Sequence, residues 1–446
     1  MIYKDSRAQA PARVQGTPIR VMRSLRIQIR QIRQEGPSAV IRKARIFLKL
    51  MPDLPGALLA LPIVLIVRLL RPFVVIRFGP IRSPNFGHFV SEPEIYLSKR
   101  DVGLDAPGTF DIHYYTSRPG GLPFCNLQLK KMWDRTIRIN RLARWPNKIN
   151  RSLPGGSKHI VPEGNTRDIY DCMSRTPPHI SFTQDEERLG EESLRTLGIP
   201  EGAEFVGFHA RDSAWLEQLA PSLDFHYHDH RDSDIQHYIP AMRKLVDKGY
   251  FAIRMGSPVK DPLTTSDPQI IDYATNGSRT DFLDVYLGAK CKYFIGSAAG
   301  MIELPKTFRK PVVSVNWIPL EYAHSWSPKD LFIPKKLWLK SENRFLSFRE
   351  ILDSGIGASL NGQQYEELGI DPIENTPEEI TAVVLEMEDR ISGKWQTTSA
   401  DEELQQRFWS LFDNIEVHYR AGEPLHGVIA SRIGAEFLRR NQQLLD

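Results

Sequence analysis

Between residues 205 and 317 the chain repeats one pattern: a short unbroken apolar run, then a longer stretch of mixed polarity. The runs are FVGFH (205–209), YFAIRM (250–255), QIIDYA (269–274), KYFIGS (292–297) and PVVSVNW (311–317). Strands apolar along their whole length are buried on both faces, and parallel sheets covered by helices provide that burial. The segments between them, SDIQHYIPAMRKLVDKG (233–249), DFLDVYLGAK (281–290) and AAGMIELPKTF (298–308), have helical length. The alternation predicts a doubly wound parallel sheet.

A second series precedes it. FVVIRF (73–78), TFDIHYYT (109–116) and TIRIN (136–140) read as strands, and VSEPEIYLSKR (90–100) and LQLKKMWDR (127–135) as helices. Residues 146–180 are rich in Pro, Gly, Ser and Asn and carry no clear period. The helix QDEERLGEESLRTLG ends in the turn-rich GIPEGAE (198–204), which marks a domain boundary. With 446 residues, more than one core is expected. The fold class is therefore α/β, with two facing Rossmann-like domains at 73–198 and 199–340. A helical region follows at 341–446, where NTPEEITAVVLEMEDRI offers Thr376 as N-cap, Pro377 in the first turn and Glu379 three residues on.

Residues 1–72 form a different kind of segment. Residues 1–50 hold 12 Lys/Arg against 2 Asp/Glu, a net charge of +10 inside a chain of net +4. Met22, Leu25, Ile29 and Ile32 share a helical face beside Arg20, Arg23, Arg26, Arg30 and Arg33. The uncharged run LPGALLALPIVLIV (54–67) is too short, and too interrupted by Pro55 and Pro62, to span ~30 Å of hydrocarbon. This pattern predicts a basic amphipathic arm on an anionic membrane surface, hence a cytoplasmic protein peripheral on the inner face of the cell membrane. The arm lacks the interleaved aromatics of single-strand binders, and no nucleic-acid partner is expected. Three scattered cysteines, Cys125, Cys172 and Cys291, argue against a disulfide framework.

In open α/β sheets ligands sit at the carboxyl ends of strands, so the polar residues there are the candidates. After 205–208 come His209, Arg211 and Asp212; Arg254, Gly256 and Ser257 end the next run; Gly296, Ser297 and Gly300 follow the fourth. Two arginines and a small-residue helix start suit a diphosphate. Neither a P-loop nor a G-x-G-x-x-G is present. The run HYHDH (226–230) lacks one residue of the H-x-H-x-D-H spacing of metallohydrolases. In DSD (232–234), Asp232 or Ser233 reads as a helix cap, and no metal is expected. His88, at the helix start after the first strand, is a candidate general base for a hydroxyl, a role that histidine fills more often than any other side chain.

The ordered set FGHF…EPEIYL, GFHARDS, GYFAIRMG, IIDYA, DFLDVYLGAKCKYFIGSAAGM and ENTPEEI resembles a family of bacterial glycosyltransferases associated with surface-carbohydrate genes, over residues 73–440. HARD is also similar to the H-x-R motif of fucosyltransferases with a GT-B fold, with His209 and Arg211 matching the His and Arg. Ala214 stands where that motif has a further Asp. The resemblance implies a GT-B-like transferase that moves a sugar from a nucleotide-diphosphate donor to a lipid-linked or surface glycan, with no cofactor. Donor binding then falls to His209, Arg211, Arg254, Gly256, Ser257, Gly296, Ser297 and Gly300, and the base is His88 or Asp212. Two alternatives stand beside it: a metal-dependent transferase using Asp232 and Asp234, and a non-catalytic nucleotide-sugar or polysaccharide-binding module of an export assembly.

Overall fold

The computed structural model describes residues 54–117, 124–214, 226–256, 258–413 and 424–446. The basic arm of residues 1–50 and Ser257 lie outside the described residues. The chain divides into two compact units: Met1–Pro80, Gly108–Tyr114 and Ile139–Pro162 make one, and Ile81–Pro107, Tyr115–Arg138 and Glu163–Asp446 the other. The expected boundary at 199 is not where the chain divides.

The strands are β1 (Val75–Ile81), β2 (Thr109–Tyr115), β3 (Phe205–His209), β4 (Phe251–Arg254), β5 (Ile270–Asp272) and β6 (Phe294–Gly296). They continue with β7 (Val312–Trp317), β8 (Leu331–Pro334), β9 (Lys336–Leu339), β10 (Arg344–Phe345), β11 (Ile370–Ile373) and β12 (Arg432–Ile433). The helices used below are α1 (Leu54–Leu69), α2 (Phe86–Asp101), α3 (Leu127–Thr136), α4 (Arg144–Ser152), α5 (Gln184–Thr196) and α6 (Ile239–Val246). After them come α7 (Asp281–Lys290), α8 (Glu303–Thr307), α9 (Pro377–Ile391), α10 (Ser399–Ser410) and α11 (Ala435–Arg440).

In the first unit, β1 and β2 form a two-stranded sheet. Arg77 and Asp111 join them through two buried hydrogen bonds of 2.8 and 2.6 Å. The expected strand at 136–140 is instead the end of α3 and a single parallel bridge between Ile139 and His113. Residues 73–198 thus do not build the doubly wound sheet expected of them; among the described residues they contribute two strands. The helix α1 carries Pro62 in its interior and buries Ala60, Val64 and Val67, one face at i, i+4 and i+7.

The second unit holds a seven-stranded sheet in the order β12-β8-β7-β6-β3-β4-β5, parallel throughout. From the β5 edge its strands come third, second, first, fourth, fifth and sixth in chain order, with β12 added last. This is the Rossmann order, whose direction of winding reverses between first and fourth strands, here β3 and β6. The strands are buried because they are apolar on both faces, and Gly207 leaves room for the Phe294 ring on the neighbouring strand. Helices α2, α3 and α5 belong to this unit because polar ties fix them there. The buried Glu94 of α2 pairs with Arg309 at 2.6 Å and His179 at 3.0 Å, and the amide of Leu127 donates to Asp281 Oδ2 at 2.7 Å. The C-terminal region is part of the same unit: β12 extends the sheet, and Glu386 of α9 accepts the amide of Ala435 at the start of α11.

The expected cap at Thr376 is present. Its hydroxyl accepts the amide of Glu379, whose carboxylate accepts the amide of Thr376, and Pro377 opens the helix. Replacing Thr376 with Ala should lower unfolding stability by about 1 kcal/mol in urea titration, with Thr376→Ser close to the parent.

Candidate active site

Two loops leave the sheet at the β3–β6 reversal, and they are stitched together. The amide of Arg211 donates to the buried Ser297 hydroxyl oxygen at 2.8 Å, and the amide of Ser297 donates to His209 O at 3.3 Å. This accounts for Ser297 as a loop tie. The expected anion-binding helix start is not there: residues 300–302 make a 3-10 turn and α8 is only five residues long. The anion-attracting groups at this edge are side chains.

Arg211 pairs with Asp232 and also donates to His228 O at 3.2 Å. Arg231 donates from Nη2 to Ala298 O, in the loop after β6. Lys335, which follows β8 and is 6% exposed, donates to Asp232 O at 2.6 Å. Three cations from three segments therefore gather around Asp232 and Ala298. Arg254 stands behind them, 1% exposed, bonded to Asp272 of the neighbouring strand at 3.0 Å. It acts on the site through its charge, not through contact.

Burial and the neighbouring cations shift the ionisable groups here. Burial, reinforced by Arg254 and Arg211, pushes His209 down to about 3. Burial with Arg231 and Arg211 pushes His228 down to about 4, and burial with Arg231 does the same to His230. Burial, with Arg211 beside it, lowers Arg231 to about 10. Lys335 falls to about 8, chiefly through burial, with Arg211 adding to the effect and Glu374 opposing it. Several buried atoms here have no partner among the described residues: Nδ1 of His209 and His228, Nε2 of His230, and Nε of Arg231 and Arg254. Buried polar atoms are ordinarily satisfied, so a group of unsatisfied ones beside three cations marks this edge as a candidate ligand site.

A second group adjoins the same turn. Gly87, in the first turn of α2, touches Gly300: a Cβ on Gly87 would stand 2.8 Å from Gly300 Cα and 3.6 Å from Glu303 Cγ. The next residue, His88, has Nδ1 2.8 Å from Glu92 Oε1. Arg82 holds Glu92 by an Nε–Oε2 bond of 3.0 Å and anchors itself on Gly164 O at 2.8 Å. With Nδ1–H given to Glu92, the lone pair of His88 sits on Nε2, the geometry of an oriented base. Glu303, opening α8, is buried, and burial raises its carboxyl to about 7.

His88 and the strand-end residues thus share one compact unit, whereas the sequence assigned His88 to a separate domain. Asp212 holds the loop: its two oxygens accept the amides of Ala214 and Lys260, each at 3.0 Å. The expected cap at Asp232 or Ser233 is also revised. Asp234 caps the 235–238 turn, and Asp232 belongs to the cation cluster. Gly256, at φ +133°, occupies backbone space closed to other residues and lies against the His209 ring. Gly296 ends β6, and Gly300 serves as the contact for Gly87. Among the described residues no three His, Cys, Asp or Glu side chains converge as a metal site requires. Arg231, Lys335, Glu92 and Glu303 were not singled out from the sequence. Lys335 obeys the strand-end rule that found Arg211 and would have followed from recognising LFIP (331–334) as a strand.

No protein-family model matches the chain, and no curated protein does. Among solved structures, a glycosyl transferase family 9 protein from Veillonella parvula DSM 2008 aligns with TM-score 0.33 and 11% identity, over 54% of this chain and 79% of that one. The E. coli ADP-heptose lps heptosyltransferase II aligns with TM-score 0.28 and 12% identity, over 54% and 84%. E. coli heptosyltransferase WaaC with ADP aligns with TM-score 0.26 and 10% identity, over 58% and 91%. At TM-scores below 0.5 these likenesses carry no argument, and the chemistry has to be argued from the residues.

Lys335 is charged below about pH 8 and neutral above it. Affinity of the ligand-free protein for inorganic pyrophosphate should therefore fall several-fold between pH 7 and 9 in calorimetry. Lys335→Gln should bind more weakly at pH 7 and lose most of that decline, the comparison cancelling the titration of pyrophosphate itself.

Proposed function

We propose that the protein is a glycosyltransferase that moves a sugar from a nucleotide-diphosphate donor to an acceptor hydroxyl without a metal ion. The observation that carries this is the gathering of Arg211, Arg231 and Lys335 at the β3–β6 reversal, where the buried Nε–H of Arg231 has no partner among the described residues. The reversal point of such a sheet is where a nucleotide lies. In the reaction the bond from the sugar's anomeric carbon to the diphosphate oxygen breaks and negative charge grows on the diphosphate. Cations fixed in advance stabilise that charge. The bond to the acceptor oxygen forms as its proton passes to Nε2 of His88, and Glu92, hydrogen-bonded at Nδ1, stabilises the resulting imidazolium.

The acceptor is a glycan or glycolipid. Attachment of the basic arm to an anionic inner leaflet would bring the site to a lipid-linked one. No described helix is long and apolar enough to cross a membrane. The alternative of a silent binding module is disfavoured by the His88–Glu92–Arg82 chain, since donor binding alone has no use for an oriented base.

The test is donor affinity measured beside turnover against a panel of nucleotide-diphosphate sugars. Arg211→Lys should lose roughly 10²-fold in kcat/KM, because lysine cannot reproduce the planar two-bond fork. Arg231→Gln should weaken donor binding. His88→Ala should keep donor affinity and lose transfer. Activity should survive EDTA; loss of activity with rescue by manganese would favour the metal-dependent alternative. Donor binding without turnover in the parent would favour the binding module.

A further inference from the structure

The first unit presents an apolar surface that nothing described covers. The helix α1 has an apolar outer side as well: beyond its buried face, Leu61, Ile63, Leu65, Ile66 and Leu69 are exposed, Leu69 at 76%, and Phe73 just beyond it at 88%. Soluble proteins seldom leave so continuous an apolar row in water. Sixteen residues at 1.5 Å each reach about 24 Å, short of the ~30 Å of a hydrocarbon core, so α1 can lie in an interface but not span it.

The rest of the unit says what faces it. The described part of this unit contains eight Lys/Arg and one acidic residue, Asp111, which is buried against Arg77. Over its full sequence the unit holds 20 Lys/Arg and 4 Asp/Glu, a net of +16. Of the chain's 58 and 54, that leaves 38 and 50, or −12, to the other unit. A cleft of about 270 Å³ on α4 is lined by Tyr114, Arg144, Trp145, Asn147, Lys148 and Arg151. The guanidinium of Arg144 lies 4.3 Å from the Trp145 ring centre. This cleft runs beside α1: the Trp145 ring fills the space over Gly56, and Arg68 of α1 bonds Asn150 Oδ1 at 3.2 and 3.1 Å and Pro154 O at 3.0 Å.

We infer that this face is a lipid-docking surface, with the outward side of α1 immersed among acyl chains and the α4 cleft taking the phosphate of an anionic phospholipid headgroup. An apolar row beside a cationic cleft matches the layering of a bilayer surface, apolar within and anionic at the rim. The inference deepens the membrane part of the proposed function. It moves the contact from the arm alone to a folded surface, and it stands or falls separately from the sugar-transfer chemistry.

The test is co-sedimentation of the full chain with vesicles of phosphatidylcholine alone and with 30% phosphatidylglycerol, an amount on the order of that in anionic membranes. Three variants accompany the parent: Leu65→Ser/Ile66→Ser/Leu69→Ser, Lys148→Gln/Arg151→Gln, and deletion of residues 1–50. Because the serines replace exposed side chains, melting temperature should hold, and donor turnover in detergent serves as a second check of folding. The serine variant should lose at least tenfold in partitioning to anionic vesicles. The cleft variant should lose preference for anionic over neutral vesicles, and the deletion should retain part of the binding. If the serine and cleft variants bind like the parent while the deletion abolishes binding, the arm alone attaches the protein and the surface inference is overturned. If deletion creates binding to vesicles that the parent lacks, the arm itself covers α1, and the inference again fails. None of these outcomes bears on donor turnover.

Discussion

The reversal of winding between β3 and β6 is the constraint on which the site depends. Strands on either side are built outward in opposite directions, so the loops that leave these two strands separate and leave a crevice at their carboxyl ends. The crevice would be loose without the bonds that cross it. Ser297 takes the amide of Arg211, His209 takes the amide of Ser297, and Arg231 reaches over to Ala298. Those links turn two diverging loops into one wall, and the cations are mounted on it.

Holding several cations together out of water is unfavourable unless something anionic joins them. The protein meets part of that demand internally with Asp232 and Asp272. The remainder appears as histidines, Arg231 and Lys335 whose pKa values are pushed down by burial and neighbouring cations, and as nitrogens unpaired among the described residues. In the proposed reaction an anionic donor would meet that demand, which would account for an edge of the sheet less well satisfied than the apolar interior beneath it.

Much of this could be read from the residues. The five strands from 205 to 317 were legible because a strand buried on both faces has to be apolar without interruption, and their polar terminal residues then pointed to Arg211 and Ser297. The Thr376 cap was legible because capping is local chemistry. What failed was whatever depended on distant pairing. LFIP is too short to announce β8, so Lys335 carries no signal of its own in the sequence, and neither does Arg231, whose partner, Ala298, lies far along the chain. The same holds for the first half: nothing within 73–198 reveals that Glu94 and Asn126 are bound to residues 309 and 281 and so draw their helices into the sheet's unit.

The contact between Gly87 and Gly300 sets a gauge. Two backbones meet there with no side chain between them, one leading into the histidine, the other continuous with the residues that tie the cation loops. Any larger residue at either position would meet the other backbone at 3.0 Å or less and force the two segments apart. The spacing between these halves is therefore written into the absence of two Cβ atoms, and drift at one position cannot be absorbed by the other, because neither glycine has anything left to give up.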